Sequence, residues 1–414
     1  MHITTRKRLL DTISDLTLRR RAFLLDLVEE VLDSVSPEKL LQPHLKSIAV
    51  EGFERFALFA VGKAARAMSE AALNLLPRKP DLIFLADEGH PLPTEAGLAK
   101  TAALMRGAES LGERDAALVL ISGGGSAMLT SPAEGLTLSD LVETNTLLLA
   151  SGATINEINC VRKHLSRVKG GRLAELIAPA QTTGLVISDV VGNDLSSIAS
   201  GPLSPDPTTF EQALAIVERY GLKVPTAVRQ YLERGHHGAE EETPKPGSDI
   251  FAKTKLTIVA DHNTVVQKTL EAARRRGVSA IVQDSPISGE ARQAGAQFAA
   301  AAAPGSLTVA AGETTVTCTG SGKGGRNQEF VLGGLDALPE DATLLSLGTD
   351  GIDGVCPKET AGALIDKELA STGPSPTPYL NNNDSYHYFQ KVGGLIITGP
   401  TGNNLGDLAL ILRD

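Results

Sequence analysis

Apolar residues at helical spacing run through residues 5–35 (Leu9, Leu10, Ile13, Leu16, then Phe23, Leu24, Leu27, Val28, Val31), with acids and arginines between them. Recurrence at three and four residues predicts one amphipathic helix or two. Beyond it the pattern turns into short apolar runs, several of which end in glycine or polar residues and lead into a helical stretch. Phe56–Val61 ends at Gly62 and Lys63 and opens an alanine-rich helix reaching Leu76. Leu82–Ala86 leads into the turn-rich Gly89, His90, Pro91, Leu92, Pro93. Ala117–Ile121 stops at Ser122, Gly123, Gly124, Gly125, Ser126, and Gly184–Ile187 delivers Ser188 and Asp189. Strands alternating with helices predict an α/β architecture.

An amphipathic helix is predicted over Phe210–Tyr220, after the rigid SGPLSPDP segment. From Glu233 to Ser248 the composition changes abruptly, with two adjacent histidines, three consecutive glutamates and two prolines. A linker of that kind predicts a domain boundary, giving domains 1–240 and 249–414, with the N-terminal helix free to pack on the other domain. The second half repeats the strand and helix alternation. Strands are predicted at Leu256–Ala260, Ser279–Gln283, Thr315–Cys318, Thr343–Leu347, Leu395–Thr398 and Leu408–Leu412, with a helix running to Arg276.

The chain has 414 residues, a formal charge of −10 and 21% charged residues, and lacks tryptophan. An acidic chain without a basic domain has no footprint for nucleic acid, so its cationic clusters read as local anion sites for small partners. The basic stretch Arg162, Lys163, His164, Arg167, Lys169, Arg172 is notable on such a chain, although a solvated helix face is the ordinary fate of a charge run. Cys160, Cys318 and Cys356 are odd in number and far apart, which predicts reduced, buried thiols rather than a disulfide framework. Charged residues interrupt any N-terminal signal core, and no apolar run has the length of a membrane span, so a cytoplasmic location is expected. A homodimer is compatible with these patterns, which leave the oligomeric state open.

Five loops bear chemistry. Three successive glycines at Gly123–Gly125 strip the loop of Cβ atoms, so backbone amides can approach a ligand oxygen, flanked by the hydroxyls of Ser122 and Ser126. Phe56–Val61 running through Gly62 and Lys63 into a helix suggests an anion site, without being a Walker A loop, since Ala57 and Ala64 replace its glycine and hydroxyl residue. Asp189 at the end of a strand is a candidate base or metal ligand. In TVTCTGSGKGGRNQEF (Thr315–Phe330), Gly320, Gly322 and Gly325 satisfy G-x-G-x-x-G, and Lys323 and Arg326 add cations at a predicted helix start. Asp350 and Asp353, in a glycine-rich loop, suit a hard cation.

Seven segments resemble class II glycerate 2-kinase, a family often labelled hydroxypyruvate reductase: ISGGGSA (Ile121–Ala127), NCVRKHLSRVKGGRLA (Asn159–Ala174), ISDVVGNDLSSIASGP (Ile187–Pro202), GSGKGGRNQE (Gly320–Glu329), GTDGIDG (Gly348–Gly354), NNDSY (Asn382–Tyr386) and TGPTGNNLGDL (Thr398–Leu408). They occur in the family's order across nearly the whole chain, with one departure at Asn403–Leu405. The resemblance implies a Rossmann-like N-terminal domain, a C-terminal α/β domain of the MOFRL type with a mixed sheet, and an active site in the interdomain cleft. It also implies transfer of the γ-phosphoryl of ATP to the 2-hydroxyl of D-glycerate with Mg2+. By motif, Lys63, Asp189 and Arg326 fall at the family's active-site lysine, aspartate and arginine.

Phosphoryl transfer needs positioning and charge neutralisation, for which glycine loops, cations and acidic metal ligands are the expected parts. Ser122, Gly123, Gly124, Gly125, Ser126, Asn193, Lys323, Gly324 and Gly325 are expected to bind the nucleotide phosphates. Arg326, Asn327 and Asn382 are expected to bind substrate, and Asp350 and Asp353 the metal. The competing readings are an NAD(P)H-dependent hydroxypyruvate reductase, drawing on G-x-G-x-x-G, and a sugar-acid binding module without chemistry. The first lacks a ribose-binding carboxylate at the expected distance, since the next acid after a strand is Asp350, inside a glycine loop.

Overall fold

A computed structural model describes residues 2–11, 14–90 and 92–414 of the chain. Ile13 and Pro91, which figure in the predicted helix and turn above, lie outside the described residues. The chain forms two compact units, one of residues 41–259 and one of residues 1–40 with 260–414.

The unit of residues 41–259 is built on strands β1 (Phe56–Val61), β2 (Leu82–Ala86), β3 (Ala116–Ile121), β4 (Gln181–Ile187) and β5 (Thr254–Ala260). Their order across the sheet is β2-β1-β3-β4-β5, with parallel pairing from β2 through β4. β1 and β3 are buried along their full length, as continuous apolar runs in a doubly covered parallel sheet should be. Phe59, Val61, Val119, Ile121, Leu104 and Ile177 form the core against the flanking helices. The stretch 233–248 lies inside this unit, and the strand that follows it, β5, takes its place at the edge beside β4.

The unit of residues 1–40 and 260–414 has a mixed sheet of β6 (Ala280–Val282), β7 (Ser306–Gly312), β8 (Ala342–Gly348), β9 (Gly362–Asp366), β10 (Leu395–Ile396) and β11 (Asp407–Arg413), in the order β10-β9-β8-β11-β7-β6. All neighbours are antiparallel except β6 and β7. The N-terminal helix Asp15–Ser34 belongs here: Arg21, 1% exposed, holds Asp366 at the end of β9 through two 2.7 Å bonds, Nε and Nη2 to the two carboxylate oxygens. Burying both charges is tolerable because the guanidinium fork matches the carboxylate.

Two expectations are corrected. Thr315–Cys318 is not a strand; apart from an isolated bridge of Thr315 to Glu290 it is irregular, and Thr317 N–H donates to the Glu290 carboxylate instead of a ladder. The strand before the glycine loop is β7, the apolar run ending at Gly312. Of the cysteines, Cys160 is buried and Cys356 half-buried, but Cys318, on that irregular stretch, is exposed.

Candidate active site

The order 2-1-3-4-5 reverses between β1 and β3, and an open parallel sheet binds ligands in the crevice at such a switch point, beyond the strands' carboxyl ends. Val61 pairs with Ile121 and Ile121 with Val186, so these three strand ends stand side by side, spanning about 10 Å at the usual inter-strand spacing. Lys63 follows the first by two residues, Ser122 the second by one, and Asp189 the third by three. The topology thus gathers at one end of the sheet three groups whose outermost members are more than a hundred residues apart in sequence.

Locally these loops are tied together. Lys63 N–H donates to the Gly123 carbonyl at 2.9 Å, and the buried Ser122 hydroxyl accepts from Ala64 N–H and donates to the Val61 carbonyl. Ser122 is therefore spent on structure. Gly124 is left-handed (φ +81°), and a Cβ there would lie 2.9 Å from Lys63 Cγ and 3.2 Å from His90 Cδ2, so the lysine stem runs over the glycine. The N–H groups of Gly123, Gly124, Gly125 and Ser126 have no partner among the described residues. Ser126 Oγ is 2.9 Å from Ser200 Oγ, which donates to Asn159 Oδ1 at 3.1 Å. Three of the resembling motifs meet in that chain. Asn193, Ala199 and Ser200 all have positive φ (56°, 52°, 60°), a concentration of non-glycine strain typical of functional loops. Sequence reading singled out Asn193 but missed Ser200 and Asn159, whose only sequence signal is their place in the motifs.

In the other unit the G-x-G-x-x-G loop turns out to be filled by its own protein. Thr319 and Gly320 N–H donate to Asn383 Oδ1, Ser321 to Asn382 Oδ1, Gly322 to the Asn382 carbonyl, Lys323 to Asp384 Oδ1 and Gly324 to the Val355 carbonyl, all within 2.8–3.1 Å. A Cβ on Gly320 would sit 2.3 Å from the Asn382 carbonyl oxygen, so this glycine serves close packing. The helix beyond, Arg326–Gly334, is capped by Asp353, whose oxygens accept from Asn327 N and Gln328 N (both 2.9 Å), Asn327 Nδ2 (3.3 Å) and Gln328 Nε2 (3.0 Å). The expectation of an open cradle of N–H groups at this helix start is thereby corrected: a protein carboxylate occupies the place of a ligand anion. What this loop offers outward is the exposed side chain of Lys323.

Arg326 is bound bidentate by the buried Asp407 (Nε 2.7 Å, Nη2 3.0 Å), and its Nη1 pairs with Glu313. Burial opposes its charge, but Asp407 and Glu313 outweigh this and hold the guanidinium firmly protonated. The two anchors differ: Asp407 is 1% exposed and Glu313 42%, so only the Nη1 arm can change partner cheaply. Asn327 is 2% exposed and its amide is fully used, by Asp407, Asp353 and Ser346, which leaves no contact for a substrate. Asn382 is exposed but its oxygens hold the glycine loop. Asp407 and Glu313 were missed as site-shaping residues, whereas Asn383 and Asp384 lie in the NNDSY motif. The only sequence signal of Asp407 is its place in the TGPTGNNLGDL motif.

Asp350 and Asp353 do not fit a protein-held magnesium ion. Asp350 is half-buried and accepts from Ile352 N–H at 3.0 Å. Asp353 is 2% exposed with four donors around its carboxylate, and burial pushes it up to about 6 against those hydrogen bonds. Magnesium demands six oxygen ligands near 2.1 Å and keeps several waters, which a carboxylate enclosed by N–H donors cannot accommodate. No group of three or more His, Cys, Asp or Glu with metal-binding proximity occurs among the described residues.

A parallel sheet with a lysine and a glycine loop at its switch point has the arrangement with which α/β proteins commonly bind small anionic ligands. Family comparison matches residues 23–233 to a domain of unknown function (DUF4147) and residues 306–407 to the MOFRL family. The chain is 36% identical to a D-glycerate 2-kinase of Thermotoga maritima, over 93% of this chain and 96% of that protein. It is likewise 36% identical to a glycerate 2-kinase of Pyrococcus horikoshii, over 94% and 96%. The crystal structure of a glycerate kinase from Thermotoga maritima superposes with a TM-score of 0.80 at 35% identity, covering 95% of this chain and 99% of that one. The chain belongs to the class II glycerate kinase family. No helix among the described residues is long and apolar enough to cross a membrane.

Proposed function

We propose that the protein transfers the γ-phosphoryl group of ATP, supplied as its magnesium complex, to the 2-hydroxyl of D-glycerate, giving 2-phosphoglycerate and ADP. The observation that carries this reading is the β1–β3 switch point, where Lys63 lies over a glycine loop whose N–H groups have no partner among the described residues. In this reading the N-terminal unit is Rossmann-like.

The roles follow from chemistry. Lys63 and the N–H groups of Gly123–Ser126 neutralise phosphate oxygens, and Asn193 borders them. Asp189 accepts the proton of the 2-hydroxyl as its oxygen forms the new bond to phosphorus and the bridging bond to ADP breaks. Arg326 stays oriented by Asp407 while its Nη1 arm exchanges Glu313 for an oxygen of the migrating phosphoryl, and Lys323 adds charge nearby. The metal is supplied with the nucleotide, and neither Asp350 nor Asp353 is assigned to it.

Hydroxypyruvate reduction is not favoured, because a dinucleotide pyrophosphate needs the N–H groups that Asn382, Asn383 and Asp384 already occupy. The test is ADP release by the purified protein with D-glycerate and MgATP, beside NADH oxidation with hydroxypyruvate. Glycerate-dependent ADP without NADH loss is expected. NADH loss without ADP would overturn the proposal.

A further inference from the structure

The basic stretch after residue 160 is not a solvated face. Lys163, His164 and Lys169 are 4%, 0% and 5% exposed. Two of these burials are matched: Lys163 pairs with the buried Asp206 at 3.3 Å, and His164 with Glu242 at 3.1 Å. Lys169 is not. Its ammonium donates to the Leu129 carbonyl alone, and Arg162 donates from Nε to Asn145 Oδ1 at 2.7 Å and to nothing else among the described residues. Both line a small cavity of about 20 Å³, whose polar wall is otherwise Ser126, Thr130, Thr144, Asn145 and Ser166. The lining contains no carboxylate.

A buried cation without a counter-charge costs several kcal/mol, and natural sites offset that cost with a partner. Here no such partner lines the cavity among the described residues, and its wall is shared by the Lys169 ammonium and the Arg162 guanidinium. Burial, with Arg162 adding, pushes Lys169 down to about 7, as expected of an ammonium with no anion beside it. We infer that this cavity is a binding site for one small oxyanion, a carboxylate or a phosphate group, held by Arg162 and Lys169 with the Ser126 side of the glycine loop as its neighbour. This site adjoins the proposed phosphoryl-transfer site through Ser126, but that reading assigns neither cation.

The test is calorimetric titration of the full chain in chloride-free buffer with inorganic phosphate and, separately, with D-glycerate, without nucleotide, for the parent and for Arg162→Gln and Lys169→Met. Binding of at least one anion by the parent is expected, weakened about tenfold or more in each variant, as loss of a charge-assisted contact in a desolvated site requires. Phosphate alone would identify a phosphate site, and D-glycerate alone, or D-glycerate more tightly, a carboxylate site. Thermal unfolding provides the second readout: without anion, Lys169→Met should be at least as stable as the parent, and added anion should stabilise the parent only. No binding of either anion by the parent, or unchanged affinity in both variants, would overturn the inference, as would a Lys169→Met protein less stable than the anion-free parent. Absence of turnover with binding retained would count against the kinase reading and not against this site.

Discussion

Asp353→Asn separates a helix cap from a metal ligand. The native carboxylate accepts from Asn327 N and Nδ2 on one oxygen and from Gln328 N and Nε2 on the other. An asparagine keeps one oxygen, but its amide nitrogen opposes whichever pair of donors it faces. Two buried N–H donors then lose their acceptor, and the negative charge at the helix N-terminus disappears. An unsatisfied buried donor costs about 1–3 kcal/mol and a charge at a helix N-terminus about 0.3–1 kcal/mol. The raised ionisation of Asp353 shows that burial already offsets part of its gain, so a net loss of about 2–4 kcal/mol is expected. Urea unfolding, followed alongside the magnesium dependence of turnover, measures both quantities. A stability loss of that size with an unchanged magnesium requirement is expected. Unchanged stability with a magnesium requirement raised many-fold would refute the cap and restore the metal role.

Other consequences are more briefly stated. Gly124→Ala places a Cβ at φ +81° against the Lys63 stem, so a stability loss of about 1 kcal/mol and a raised KM for MgATP are expected in steady-state kinetics, whereas an unchanged KM would detach Lys63 from the nucleotide. Asp189→Asn should lower kcat about 10²- to 10⁴-fold if the carboxylate is the base, and near-normal turnover would remove that role. Lys169 has its folded pKa near 7, below its ordinary 10.5, so between those values the unfolded chain binds a proton that the native state lacks. Without added anion, stability should therefore rise with pH from 7 upward, by up to about 1.4 kcal/mol per unit from this group, and Lys169→Met should lack that contribution. Denaturation midpoints of the two proteins at pH 7, 8 and 9, compared pairwise, measure it.

Elements and candidate loops were largely legible because buried parallel strands are apolar runs and their ends are punctuated by glycine. Phe56–Val61 and Ala117–Ile121 lie in β1 and β3, and the loops after them meet at the switch point. Thr315–Cys318 misled because alternation alone imitates a strand where a side chain, Glu290, in fact supplies the acceptor. The glycine motif misled for a different reason. Glycine permits close approach of any partner, and the periodicity of G-x-G-x-x-G does not say whether that partner is a pyrophosphate or the protein's own Asn382. Pairings between distant residues were invisible: nothing local announced that Asp407 would hold Arg326, that Asp353 would cap its helix, or that Lys169 would be buried without an acid. Such facts depend on which loops the sheet order brings together.

The central claim is the site of phosphorylation. The direct measurement couples the product of D-glycerate and MgATP to enolase, with and without phosphoglycerate mutase. Full signal without the mutase is expected, since enolase consumes the 2-phosphate. Signal only when the mutase is present would mean transfer to the 3-hydroxyl and contradict the account.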